Sequence, residues 1–143
     1  MPGSPVIPGL RYADAPAAID FLCEAFGFER HAVYADPADP TAIHHAQLIL
    51  GDGMVMLGSV RDGDGESLYT WSTPRDLGGT TTCIYVMVDD PDAHCLRARN
   101  AGAVVVNEPH DNEGYPGRGY EALDPEGNIW SFGSYDPWVH APH

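Results

Sequence analysis

No lysine occurs anywhere in the 143 residues, so all seven basic side chains are arginines. Schiff-base catalysis, a pyridoxal anchor and a phosphate-loop lysine are therefore excluded within this chain. Basic charge is scarce altogether: 21 Asp and Glu against 7 Arg leave a formal net charge of −14. Such a chain repels phosphate backbones and anionic lipid, so neither nucleic acid nor a membrane is expected as a partner, and cationic ligands are favoured. The plainer reading of the same imbalance is a solubilising acidic surface.

Cysteine is sparse as well. Cys23, Cys83 and Cys95 are odd in number and show no CxxC spacing, which predicts free buried thiols. The opening MPGSPVIPGL has neither a basic region nor an apolar run, and no later run reaches membrane-spanning length. A cytoplasmic protein without a signal peptide is the expectation. No G-x-S-x-G or comparable turn marks a nucleophile. What is present has ordinary globular balance, 43% hydrophobic and 20% charged, at a length suited to one domain.

The chain reads as one pattern written twice. Val6 to Tyr12 is a short strand candidate, followed by Asp14 as a helix cap and Pro16 in the first turn. Ile19, Leu22, Cys23 and Phe26 recur at helical spacing until Gly27 stops the helix. Strand candidates follow at Phe28 to Ala35, Ile43 to Leu50 and Met54 to Val60. After a polar stretch the order restarts: a strand from Thr81 to Val88, a cap at Asp90-Pro91, and a helix from Ala93 to Ala101 stopped by Gly102. Strands at Val104 to Asn107, Gly119 to Leu123 and Asn128 to Tyr135 complete it, with Asp124-Pro125-Glu126-Gly127 as the last turn. The helix-ending glycines stand 75 residues apart, Asp14 and Asp89 likewise, and Gly53 and Gly127 are 74 apart. A near-constant offset signals a duplicated unit whose apolar sheet face only the other copy can cover. The expected class is α+β: two tandem βαβββ units, 5–60 and 80–135, forming a curved mixed sheet around a cavity with helices outside. A linker, 61–79, joins them, and a tail, 136–143, follows.

Several motifs in this order resemble the vicinal-oxygen-chelate superfamily of glyoxalase, bleomycin-resistance and dioxygenase proteins. They are D-x-P-x-x-A-I-D-F from Asp14 to Phe21 with Asp20 inside it, F-G-F at Phe26 to Phe28, V-D-D-P-D-A from Val88 to Ala93, A-G-A from Ala101 to Ala103, and D-P-E-G-N-I-W-S-F-G from Asp124 to Gly133. The resemblance covers roughly residues 5 to 135, and the branch it is most similar to ends in W-S-F-G and then Tyr135-Asp136-Pro137-Trp138. It implies the glyoxalase/bleomycin-resistance fold, a homodimer, and, in catalytic members, a divalent metal held by imidazoles and carboxylates. Here the four corresponding positions fall on Ile7, Gln47, Cys83 and Ser131, which do not make a site for a hard divalent metal. No metal and no cofactor is therefore expected.

Strand parity then names a cavity lining: Gln47 with His45 and Ile49, Cys83 with Tyr85 and Met87, and Ser131 with Ile129. Trp130 and Phe132, of opposite parity, are assigned to the core. His44 and His45 are adjacent, so only one enters the cavity. His45 is either a base or ligand-orienting group, or a strand residue bonding locally. His94 on its helix, and His110, His140 and His143 in loops or tail, are assigned to the surface. The linker carries Tyr69, Trp71 and Arg75, and Trp71 either stacks on a planar or cationic ligand or pins the linker to the sheet. Two functions stand side by side. The first is sequestration of a small aromatic or cationic molecule in the manner of bleomycin-resistance proteins, which the missing ligands and acidic charge favour. The second is an enzyme, glyoxalase/lyase-type or dioxygenase-type, working through unplaced histidines or with His45 and Tyr85 as acid and base.

Overall fold

Asp14 opens the first helix, α1 (Ala15–Phe26): its carboxylate accepts the Ala17 N–H, Pro16 sits in the first turn, and Gly27 closes the helix at φ 90°. The same logic builds α3 (Pro91–Asn100), capped by Asp90 with Pro91 as its first residue. A computed structural model describes residues 3–60 and 71–139. Tyr69, His140 and His143 therefore lie outside the described residues.

Around these helices stand eight strands: β1 (Gly9–Tyr12), β2 (Glu29–Asp36), β3 (Asp39–Leu50), β4 (Gly53–Ser59), β5 (Cys83–Met87), β6 (Val104–Asp111), β7 (Arg118–Leu123) and β8 (Ile129–Gly133). They form two four-stranded mixed sheets, β1-β4-β3-β2 and β5-β8-β7-β6, one from each unit. In each, the first strand runs parallel to the last, and the rest are antiparallel. The first strand is shorter than Val6 to Tyr12, since Pro8 has no N–H to donate and contributes only its carbonyl, to Met56. The linker holds a short helix that its polar composition concealed, α2 (Pro74–Leu77), with Thr73 as its cap.

Parity decides which face each strand buries. Trp130, Phe132, Tyr120 and Ala122 point toward the helices in the second sheet, as Tyr12, Leu48, Val55 and Leu57 do in the first. The two units share one core. Phe26 of α1 lies 5.5 Å from Trp130 and 4.7 Å from Phe132 between ring centroids, and Phe28 lies 5.7 Å from Trp130. The apolar face of each unit is thus covered in part by the other.

Polar contacts fix how the units meet. The last turn, Asp124 to Asn128, reaches across to the start of α1. Buried Asp124 accepts from the Tyr12 hydroxyl at 2.6 Å and the Trp130 indole at 3.1 Å. Buried Glu126 accepts the N–H groups of Ala13 at 2.6 Å and Asp14 at 2.8 Å, donors just ahead of the first helix. Burial, reinforced by the Asp124 charge, holds the Tyr12 phenol well above its usual range, so it stays a donor. On the linker side, Arg75 donates to the Pro125 carbonyl of this turn.

His94 is not a surface residue, contrary to the expectation from its place on an exposed-looking helix. It is half-buried, with Nε2 2.9 Å from the Phe26 carbonyl and Nδ1 2.5 Å from the Tyr120 hydroxyl. A carbonyl only accepts, so Nε2 carries the proton and Nδ1 accepts from Tyr120. The helix faces a packed interior here because α1 lies against α3.

Two outcomes follow for stability. Replacing Glu126 by Ala leaves two backbone donors without their carboxylate and is expected to cost about 2–3 kcal/mol in urea unfolding, Glu126→Gln costing less. Burial holds the His94 imidazole below its ordinary 6.5 despite the bond to Phe26. The unfolded chain, titrating at about 6.5, therefore takes the proton first, and stability should fall as pH drops through and below that value. Thermal midpoints from pH 8 to pH 5 test this, and His94→Gln should flatten that part of the curve.

Candidate functional site

The faces turned away from the helices are the chemically furnished ones. On the second sheet, parity brings Cys83, Tyr85 and Met87 of β5, Ile129, Ser131 and Gly133 of β8, and Gly119, Glu121 and Leu123 of β7 to one open face. Tyr85 and Met87 are 42% and 47% exposed, which leaves this face free to receive something. A cleft of about 510 Å³ lies over it, lined by Tyr85, His110, Tyr115, Glu121, Ser131 and Tyr135 among others.

Glu121 is the charged centre of the cleft. Ser131 donates to its Oε2 at 2.7 Å, and the Asn107 amide donates to Oε1 at 2.8 Å. Each oxygen keeps a lone pair for a further donor, so the carboxylate is oriented without being saturated. Above it, the connection between β6 and β7 is folded onto itself by Asn112, which binds the Gly117 and Pro116 carbonyls. That fold carries Tyr115 to an edge-on contact with Tyr135, 5.0 Å between centroids.

Tyr85 is held flat on the cleft floor. Its hydroxyl donates to the Tyr135 carbonyl at 2.6 Å, and its ring lies over Gly133, where a Cβ would come 2.7 Å from that hydroxyl. Only glycine leaves room for this seat. Burial, with help from Tyr115, raises the Tyr85 phenol above its usual value, so it stays protonated at neutral pH. Cys83, expected buried, is exposed: none of the described residues covers the open face where it stands. Partial burial and the Glu121 charge push its thiol up, which keeps it protonated and weakly nucleophilic at neutral pH.

The sequence-derived residues of unit 1 stand elsewhere. His45, Gln47 and Ile49 share the open face of the first sheet with Met54 and Met56. His45 bonds Gln47 at 3.1 Å and stacks on Tyr34, a local arrangement. Trp71 stands at that sheet, with the Arg11 guanidinium 5.0 Å from its ring. The 510 Å³ cleft is lined by unit 2 and the following tail alone, so it joins Tyr85 and Ser131 but not His45, Gln47, Ile49 or Trp71. Ile7 precedes β1. Of the four positions matching a metal quartet, Ile7 offers no donor, Gln47 and Ser131 offer neutral oxygens, and Cys83 offers a single soft sulfur. These residues do not fit a divalent metal. Among the described residues no group of three or more His, Cys, Asp or Glu is arranged to hold one.

Glu121, Tyr115 and Tyr135 were given no role from the sequence, and His110 was assigned to the surface. Glu121 was legible, since Tyr120 and Ala122 flank it with core parity. His110, expected on the surface of a loop, lies on β6 and lines the cleft, because that strand runs on to Asp111. No sequence signal marked Tyr115, whose position depends on the loop conformation.

A family model described as the Glyoxalase/Bleomycin resistance protein/Dioxygenase superfamily matches residues 6–132. The chain is similar to an uncharacterized protein of Mycobacterium bovis, Mb0911c, with 38% identity over 127 residues, covering 88% of this chain and 80% of that one. Among solved structures it is similar to TioX from Micromonospora sp. ML1, with 33% identity, TM-score 0.70, and coverage of 92% of this chain and 98% of that chain. It is also similar to glyoxalase I from Zea mays, at 17% identity and TM-score 0.66, covering 89% of this chain and 43% of that chain. The last likeness concerns the fold alone.

Iodoacetamide labelling with peptide mapping should modify Cys83 before the buried Cys95, with a pH–rate midpoint above the ordinary thiol range. Glu121→Gln removes the negative neighbour and should speed that labelling at pH 8. An unchanged rate would remove Glu121 as a cause of the raised thiol pKa.

Proposed function

The chain belongs to the glyoxalase/bleomycin resistance protein/dioxygenase superfamily, and from that premise we propose that it binds and sequesters a small aromatic cation instead of transforming a substrate. One observation carries the reading: the cleft combines three tyrosines with a single oriented, unsaturated carboxylate, Glu121. Aromatic faces attract a flat cation through their quadrupole, and the carboxylate adds a charge-assisted bond. The overall charge of −14 draws cations toward the surface.

Chemistry on the open faces supports binding more than turnover. Tyr85 and Cys83 are both held protonated, and His45 is engaged with Gln47 in the other sheet. A general base needs reach to a substrate proton and a pKa near working pH, and neither protonated group offers that. We further infer a cytoplasmic homodimer in which a second copy covers the half-exposed Tyr85 and Met87. Among the described residues, no helix is long and apolar enough to cross a membrane.

Proflavine, a planar aminoacridinium, serves as the probe. Titration should quench the protein's intrinsic fluorescence to saturation, and Glu121→Gln should weaken binding about tenfold, the equivalent of about 1.4 kcal/mol. Tyr85→Ala should weaken it as well. Equal affinity in wild type and Glu121→Gln would remove the basis of the reading. Turnover of a hemithioacetal or a catechol after addition of nickel, zinc or iron would replace it with an enzyme. Sedimentation at micromolar concentration tests the homodimer.

A further inference from the structure

Five of the six described arginines are occupied. Arg30, Arg99 and Arg118 pair with carboxylates, while Arg75 and Arg97 hold backbone carbonyls. Arg11 differs. It stands on the open face of the first sheet, beside Gly58 in the β1–β4 register. Among the described residues it meets no carboxylate; its polar contact is one long bond, 3.4 Å, from Nη1 to the Ser59 carbonyl.

The guanidinium is nevertheless held in place. The Trp71 ring lies 5.0 Å from its central carbon. Beneath it is Gly58, where a Cβ would come 2.6 Å from Nη1, so any side chain there would displace the arginine. Trp71 is itself positioned by α2, whose Arg75 is bonded to Pro125 and whose Pro74 lies 3.4 Å from where a Gly127 Cβ would be. A guanidinium has five N–H donors, and among the described residues Arg11 spends one on Ser59, so donors remain for a carboxylate to accept with two bonds. Along the same face, Met56 lies two residues from Gly58 on β4, Met54 and Ile49 follow further along the strands, and the His45–Gln47 pair is the polar group on β3.

We propose that this face is a second small-molecule subsite, centred on Arg11, which takes a flat ligand bearing a carboxylate. Arg11 is partly exposed and, among the described residues, pairs with no carboxylate, so its charge is available to an anion that reaches this face. The inference is independent of the Glu121 cleft, which selects the opposite charge on the other sheet.

The probe is 2-naphthoate, followed by tryptophan fluorescence and by backbone amide resonances of the full chain. Saturable shifts are expected on β1, β4 and the residues around Trp71, with 2-naphthylmethylammonium failing to produce them. Arg11→Met should weaken naphthoate binding at least about tenfold, and raised salt should weaken it in wild type. Circular dichroism checks the fold of the variant. If Arg11→Met does not fold, Arg11→Lys, which keeps the charge but loses the planar fork, should still bind more weakly than wild type. Unchanged affinity in the folded Arg11→Met variant, or in Arg11→Lys where it is needed, would overturn the proposal, as would shifts confined to β5–β8. Proflavine is titrated separately and is tested by Glu121→Gln, so its failure to bind would leave the naphthoate result standing.

Discussion

A turn of five residues, Asp124 to Asn128, decides how the two halves of this chain sit on one another. Its two acids spend themselves on the other unit: Asp124 takes the Tyr12 hydroxyl, and Glu126 takes the two backbone donors that precede α1. Both carboxylates are buried, and a buried carboxylate without donors costs several kcal/mol, so the contact is close to all-or-none. Apolar packing of Phe26 against Trp130 and Phe132 supplies attraction without direction. The carboxylates and the oriented His94 bridge supply the direction. With the units locked in this pose, each sheet turns one face to the shared core and the other outward.

That division explains why the open faces are where chemistry has been free to diverge. Side chains facing the helices answer to packing, and a change of volume there is felt at once. Residues facing out answer to a ligand or to nothing. The two sheets have diverged in charge: the second offers Glu121 beside tyrosines, the first Arg11 beside Trp71. A glycine 75 residues from its counterpart lies under each long side chain, Gly58 under Arg11 and Gly133 under Tyr85. The duplication kept the seat while its occupant changed.

Much of this was legible in the sequence because local rules and the tertiary structure agreed. Asp14 and Asp90 cap the helices where turn chemistry put them, and two-residue alternation assigned Trp130 and Phe132 to the core, where both are fully buried. The misses have physical causes. His94 was read as exposed because nothing local reveals that another helix lies on it. Cys83 was read as buried because residue type says what a side chain prefers, not whether something covers it. Tyr115 and the Arg11–Trp71 contact arise from loops and from a linker helix docked far along the chain, beyond the reach of periodicity. The cleft itself gathers one unit's residues, whereas parity alone joined both.

The docking of α2 has a bearing on how the chain chooses its own partner. Ten residues, 61–70, separate Val60 of the first unit from Trp71, and even fully extended they reach only about 33–36 Å. With Arg75 anchored at Pro125, that short tether keeps the start of α1 at a high effective concentration beside its own turn. The four-residue helix thereby ties the connection between the units to the same turn that receives Tyr12 and the start of α1.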